Sequence, residues 1–574
     1  MMMRAFWQAR LLALVLAVAG SGCCWAATQP QPTEKEQLAE GKKQKAGQAQ
    51  LAAGKELLLG GELSNSAATS EEDIVAVMSS MREAGLKLLL VPVSWDLLEP
   101  EEGRFDFRLV DCMLSQARSN GQRLVLLWFG AWKNSMSCYA PMWVKRDVKR
   151  FPRAMTRSGK PLEILSAFSE EVLQADLRAF TALMRHLRDA DAGTGTVAMV
   201  QVENEVGMLE DARDHSPLAE KAFKVWKASP SAYKGRGGEL AEDEAFTAYH
   251  YARYIERLAS EGKKIYDVPM YVNAALNSRG RKPGEYPSGG PLAHLAGIWN
   301  AAAPSIDMLS PDIYDEGFKS WAAQYDFDGN RLFIPESRCC MNSGVRALYV
   351  VGEHGAVGFC PFAVDRGSEA ELKELRRGYD LLEELMKLQE KPAAQGQAMR
   401  GVLLDETEKT TTLDFGDVQL RCSHYLTLPW DSRGKDGSTW REGGAVIVRL
   451  AKEEFLIAGS GVVVEFSSGS SNGKGSGSML LGEDGFALEG NKALQEGQES
   501  RSRSVMPLLE QQRGKKKQYE GHQIGLGTVD EVRAGDGGKM EYVRRLNGDE
   551  THQGRHVRIS IDDYQLLHVR LYEY

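Results

Sequence analysis

Eight short runs of apolar residues recur between positions 57 and 361, and stretches with helical spacing fall among them. The runs cover residues 57–63, 86–95, 123–132, 196–205, 269–275, 307–314, 332–336 and 356–361. A run such as Val197-Ala198-Met199-Val200 has no polar face to offer water. It predicts a strand covered on both sides, which is the condition of a parallel sheet. Helices are expected at 70–84, 108–118, 170–187, 244–261 and 369–389. In the first of these, Ile74, Val77, Met78 and Met81 share a face. Glu71 and Glu72 stand where the helix dipole favours negative charge, and Gly85 supplies the stop. Eight such strands alternating with helices predict an α/β fold, a (β/α)8 TIM barrel. The rival is a doubly wound open sheet, which calls for a Gly-rich phosphate turn after an early strand. Leu59-Gly60-Gly61 is too brief for one.

At 574 residues the chain exceeds one ordinary domain. After Pro392 Gly and Ser become frequent and helical periodicity disappears. Residues 445–450, 461–466 and 568–571 read as strands between turn-rich segments, which predicts an all-β, sandwich-like domain. Residues 467–478 read as a flexible Ser/Gly loop and 208–242 as an irregular insertion. The expected order is a signal peptide at 1–27, a flexible linker at 28–54, the barrel at 55–391 and the β-domain at 392–574. Arg4 and Arg10 precede an apolar core at 11–19 and then small residues, the pattern of an export signal. That core is too short to span a bilayer. Lipidation at Cys23 is the less favoured alternative to plain cleavage after Ala26 or Ala27. The expected location is therefore the periplasm, cell surface or medium, with no integral membrane segment after cleavage.

The formal charge of −9 and a pI near 5.8 lack the basic footprint of a nucleic-acid binder. The basic run at 513–517 reads as a solvated loop. Cys112, Cys138, Cys339, Cys340, Cys360 and Cys422 show neither a disulfide framework nor zinc-ligand spacing. No metal or organic cofactor is implied. A homo-oligomer is compatible with the sequence.

Two carboxylates stand at the ends of apolar strands, Glu205 in Gln201-Val202-Glu203-Asn204-Glu205-Val206-Gly207 and Glu336 in Phe333-Ile334-Pro335-Glu336-Ser337. In a β/α barrel the C-terminal strand ends carry the chemistry. Glycosidic hydrolysis needs one carboxyl group to protonate the departing oxygen and a second to attack or stabilise the anomeric carbon. Strands four and seven face each other across a barrel mouth, so Glu205 and Glu336 are the candidate pair. The charge of Glu336 would keep Glu205 protonated as the acid. Glu203, two residues earlier, is expected on the same side of the strand, as a barrel-interior partner or a catalyst. Trp95, Trp128, Trp132, Trp143 and Trp299 fall near the expected mouth, as sugar platforms or as core. Trp132 is the first choice among them, beside Gly130, Lys133 and Asn134.

The segment at 201–207 resembles the acid/base segment of glycoside hydrolase family 35, the β-galactosidases. The clan of that family places Asn directly before the acid/base Glu on strand four and the nucleophile Glu on strand seven. Asn204-Glu205 and Pro335-Glu336 are similar to both. Residues 91–100, with Gly103-Arg104-Phe105-Asp106-Phe107, resemble the family's second-strand region. The resemblance implies Glu205 as acid/base, Glu336 as nucleophile and Asn204 on the sugar's 2-hydroxyl. Tyr314 is then either a hydrogen-bond donor to the nucleophile or an ordinary rim tyrosine. Arg338 is either a partner of a barrel carboxylate or a surface residue. Family members commonly carry Cys-Ala-Glu-Trp after strand three, where this chain has Phe129-Gly130-Ala131-Trp132-Lys133-Asn134. Lys133 and Asn134 are the residues available to replace that Glu. The chain is thus similar to a bacterial branch of the family with a distinct C-terminal β-domain.

The expectation is an exported, retaining exo-glycosidase acting on terminal β-galactosyl residues, with carbohydrate as partner. The alternatives are a related retaining glycosidase on an arabinoside, xyloside or fucoside, and a non-catalytic glycan-binding surface protein.

Overall fold

The structure is a computed structural model that describes residues 57–228, 241–388, 398–469, 480–481, 487–488 and 522–574. The expected signal at 1–27, the linker at 28–54, Cys23, the basic run at 513–517 and residues 470–478 of the Ser/Gly loop lie outside these residues.

Parallel strands run around the first part of the chain as eight staves. They are Leu58–Leu59 with Gly61–Glu62, Leu88–Ser94, Arg123–Lys133, Val197–Asn204, Met270–Ala275, Met308–Ile313, Phe333–Ile334 with Glu336–Ser337, and Gly358–Phe359. Seven strands form one sheet, and a three-stranded sheet joins the first, eighth and seventh staves. Gly61 pairs with Leu89, Asn273 with Ser310, Glu336 with Asp312, and Gly358 with both Phe333 and Leu58. This arrangement fits a TIM barrel.

Two staves are interrupted for local reasons. At Gly60 a Cβ would come within 2.2 Å of the Leu88 carbonyl oxygen, so only glycine lets the first stave lie this close to the second. At Pro335 the missing N–H removes a ladder donor.

The expected helices are present as Glu71–Glu83, Arg108–Asn120, Glu170–Asp191, Glu242–Ile265 and Glu369–Leu388. Ser70 and Ser169 cap two of them by accepting from Asp73 N and Val172 N. Helix Ser343–His354 does not stand out in the sequence. It is buried on nearly every side, between barrel and β-region, and its less buried polar residues are confined to Arg346, Glu353 and His354. The stretch expected to be irregular holds helix Pro217–Ala228. The long loop after the third stave holds a hairpin of Arg153–Met155 and Pro161–Leu165.

The C-terminal part is antiparallel β-structure in a six-stranded and a four-stranded sheet. Strand Gly443–Ala451 shows why its apolar run is continuous. Ala445 and Ile447 enter a core shared with Leu420 and Val464 of the smaller sheet, whereas Val446 and Val448 join the barrel-side core. Arg346 of helix Ser343–His354 grips Glu442 through two 2.7 Å hydrogen bonds. The β-region thereby braces the helix that follows the Glu336 stave. Six cysteines of the described residues are free thiols. Among the described residues no helix is long and apolar enough to cross a membrane.

Candidate active site

The interior of the barrel changes character along its axis. Leu58, Leu88, Val125, Met199 and Met308 belong to an apolar plug at the N-terminal ends of the staves. At the C-terminal ends stand Glu62, Lys133, Glu205, Asn273, Asp312 and Glu336, each almost wholly buried.

The fourth stave ends with two left-handed, non-glycine residues, Glu203 at φ 61° and Glu205 at φ 44°. Each such conformation costs about 1–2 kcal/mol and persists only where neighbours hold it. Asn273 Oδ1 accepts from Glu205 N at 3.0 Å, and the Glu205 carbonyl accepts from Ser135 N at 3.1 Å. The Glu203 carboxyl accepts from Ala131 N at 3.0 Å and Trp132 N at 2.7 Å.

These kinks break the strand's period of two, which corrects the expectation that Glu203 and Glu205 share a side. Glu203 turns outward to Asp176 of helix Glu170–Asp191, which also takes the Trp128 indole N–H at 2.9 Å and the Tyr254 hydroxyl at 2.8 Å. Burial and the adjacent Asp176 push the Glu203 carboxyl well above the usual range. The pair braces the third stave against the fourth. Gly130 makes room for it: a Cβ there would lie 2.2 Å from Trp128 Nε1 and 2.3 Å from Glu203 Oε1.

Glu205 turns inward. One oxygen each of Glu205, Asp312 and Glu336 lies within 4.8 Å of the other two. Tyr314 donates its hydroxyl to Glu336 Oε2 at 2.7 Å. Glu336 Oε1 receives Asn273 Nδ2 at 3.1 Å and Asn204 Nδ2 at 3.3 Å. Lys133 Nζ holds Asn204 Oδ1 at 2.9 Å, which fixes the amide so that its NH2 faces Glu336. Asn134, left-handed at φ 50°, donates its amide to Glu205 Oε2.

The electrostatics separate the two carboxyl groups. Burial and the charge of Glu336 push Glu205 up to about 7, against Lys133, Asp312 and Asn134, which pull it down. Burial and the charges of Glu336 and Glu205 also push Asp312 well above the usual range. Burial alone would lower the Lys133 ammonium, but Glu336, Glu205, Glu62 and Asp312 raise it, so it stays charged. The spacing of Glu205, Asp312 and Glu336 would also suit a shared cation; here the Lys133 ammonium supplies positive charge to the cluster.

Of the residues singled out in the sequence, Glu205, Glu336, Asn204, Asn134 and Tyr314 meet in one place, with Lys133 among them. Trp132 and Trp95 do not line it. Both are fully buried; the Trp132 indole donates to the Leu165 carbonyl at 3.0 Å and packs on Tyr251 and Tyr254. The Trp95 indole donates to Glu99 at 2.8 Å. Trp128 and Trp299 are likewise sealed, and the half-buried Trp143 donates to the Glu99 carbonyl. Arg338 is exposed, its Nε 3.4 Å from the Tyr314 carbonyl. Glu62, Asn273 and Asp312 are not among the residues singled out, although each is a polar residue in a mostly apolar strand.

Comparison with known proteins adds family information to this geometry. Residues 65–234 match the glycoside hydrolase family 42 model, described as Beta-galactosidase, and residues 375–558 match a domain of unknown function, DUF5597. The β-galactosidase match is thus of the family 42 type; the resemblance to family 35 has no such support. It spans Glu205 but ends before Glu336. The β-galactosidase BgaA of Thermus sp is 30% identical over 183 residues, 30% of this chain and 25% of that protein. A β-galactosidase of Thermus thermophilus is 28% identical over 153 residues, 25% of this chain and 22% of its own length. The chain therefore matches about a quarter of the length of these curated relatives. Among solved structures, the β-galactosidase of the psychrophilic Marinomonas ef1 aligns with a TM-score of 0.42 at 14% identity, over 56% of this chain and 59% of that one. That of Bacillus circulans sp. alkalophilus gives 0.42 at 15%, over 57% and 56%.

Proposed function

We propose that this chain is an exported, retaining glycoside hydrolase that releases terminal β-galactosyl units from oligo- or polysaccharides. The observation that carries the reading is the close approach of Glu205 and Glu336, with oxygens no more than 4.8 Å apart. Retaining enzymes hold their carboxyl groups about 5–5.5 Å apart, and inverting ones about 6.5–9.5 Å apart to admit a water. Glu205 is pushed up to about 7, and a general acid works best with its pKa near the operating pH.

In the first step Glu336 attacks the anomeric carbon as Glu205 gives its proton to the departing glycosidic oxygen. A galactosyl ester forms on Glu336, and Glu205 is left as the carboxylate. In the second step Glu205 takes a proton from water, the water oxygen attacks the same carbon, and Glu336 leaves. Asn204 faces the 2-hydroxyl, where contacts strengthen in the transition state. Tyr314 orients the Glu336 carboxylate. The two steps require no metal or organic cofactor. The β-galactosidase match supports the galactosyl assignment, and the strand-two and strand-four motifs keep family 35 within this proposal. The domains are read as the barrel at 55–391 and the β-domain at 392–574, the latter a packing or glycan-contacting module.

Glu336→Gln should abolish turnover of an aryl β-galactoside, and unchanged activity would reject the assignment. A panel of aryl arabinosides, xylosides and fucosides tests the sugar.

A further inference from the structure

Glu62, at the mouth end of the first stave, is fully buried, and among the described residues neither of its carboxyl oxygens has a hydrogen-bond partner. Its backbone is fixed: Glu62 N donates to the Pro361 carbonyl at 2.8 Å, and the residue bridges to Phe362, three residues past the last stave. The side chain points inward by strand alternation, since Leu58 lies in the barrel plug and Leu59 in the outer core. Its charge neighbours are Glu336, Lys133 and Glu205, the same groups that make up the candidate site. A buried polar group without a partner is costly, and natural folds leave few of them. A fold that served stability alone would place Leu or Met here. Such an exception is the mark of a group whose partner arrives with the ligand.

In a ring of eight staves the first stands opposite the fifth, and the third opposite the seventh. Glu62 therefore faces the Asn273 side, and Lys133 the Glu336 side. A sugar ring with its anomeric carbon at Glu336 and its 2-hydroxyl at Asn204 leaves the first and third staves open to its remaining hydroxyls. Building on the hydrolase reading above, we propose that Glu62 is a substrate-binding residue that, with Lys133, receives neighbouring ring hydroxyls of the terminal glycosyl unit. The site thereby selects a unit that is unsubstituted at those positions. Burial and the charge of Glu336 push the Glu62 carboxyl well above the usual range, which favours the protonated acid, able both to donate and to accept. The Lys133 ammonium carries three donors, of which Asn204 takes one.

The test uses the full chain, with Glu62→Gln and Glu62→Leu, on an aryl β-galactoside and its 3-, 4- and 6-deoxy analogues. Glu62→Leu should lower kcat/KM by about 10–100-fold on the parent sugar, the range for one lost hydrogen bond to a buried group. On the deoxy analogue that lacks the contacted hydroxyl it should change little. Glu62→Gln, which offers the same donor and acceptor, should stay within about 5-fold of wild type. The Tm of Glu62→Leu should equal or exceed that of wild type, because an unpartnered acid has been replaced by an apolar side chain. Equal losses on every analogue, full activity of Glu62→Leu, a Gln variant as poor as Leu, or a lowered Tm would each overturn the assignment. If wild type cleaves the parent galactoside and Glu62→Leu does so equally well, only this inference fails. If wild type cleaves no aryl glycoside, the hydrolase reading fails and takes this one with it.

Discussion

Asn134→Gly isolates the control of Glu205 by one neighbour. Asn134 donates its amide to Glu205 Oε2 from a left-handed backbone at φ 50°. Glycine adopts that conformation without strain, so the substitution removes the amide and leaves the loop in place. A hydrogen bond to an ionised acceptor is worth about 1.5–3 kcal/mol. Asn134 is exposed, so water can recover part of this, leaving about 1–1.5 kcal/mol. One pKa unit corresponds to about 1.4 kcal/mol, so Glu205 should rise from about 7 by about one unit. The general acid must be protonated, so activity is lost as pH rises through its pKa. The alkaline limb of kcat/KM, which reports the free enzyme, should therefore move upward by about one unit. The assay is a pH–rate profile on an alkyl galactoside, whose poor leaving group requires the acid. A dinitrophenyl galactoside, which leaves without a proton, should show no such movement. A limb that stays in place, or moves down, would refute the assignment of Glu205 and of Asn134 as its modulator.

Three other outcomes follow from the contacts. Tyr314→Phe removes the 2.7 Å donor to Glu336 and should lower kcat/KM by about 10–100-fold with little change in Tm. Gly130→Ala would drive a methyl group into Trp128, Glu203 and Asp176, and should cost about 3 kcal/mol or more, read as loss of soluble protein or a sharp fall in Tm. Burial alone would raise Asp191, but the Thr194 hydroxyl, the Val197 N–H, the Thr196 side chain and Arg118 outweigh it and hold it down to about 2. A depressed carboxyl contributes stability that is present above its unfolded value near 4 and fades as pH falls through about 2. Asp191→Asn should therefore lose about 2 kcal/mol at pH 7 and roughly half of that near pH 3, by urea unfolding; an equal loss at both pH values would contradict the assignment.

The barrel was legible because buried parallel strands leave long apolar runs, and Glu205 and Glu336 stood out as charges that end two of them. What the sequence hid has physical causes. Helix Ser343–His354 spends its few polar residues inside the fold, Arg346 on Glu442 and Glu353 on Arg400. The opposite directions of Glu203 and Glu205 depend on two positive φ angles at residues that rarely adopt them. The tryptophans looked like sugar platforms because they lie near strand ends. Trp132, however, belongs to the outer face of the third stave, where Tyr251 and Tyr254 of helix Glu242–Ile265 enclose it. Glu62 was hidden in plain view, one acid in the apolar run 57–63, whose importance lies in residues as distant in the chain as Glu336.

The stereochemistry of the first-formed sugar probes the Glu205–Glu336 geometry most directly. Proton NMR of an aryl β-galactoside mixed with wild-type enzyme, recorded before mutarotation, distinguishes the two anomers. Double displacement across a pair of oxygens within 4.8 Å predicts β-galactose as the initial product. Initial α-galactose would mean that a water attacks directly between the carboxyl groups, and would contradict the account.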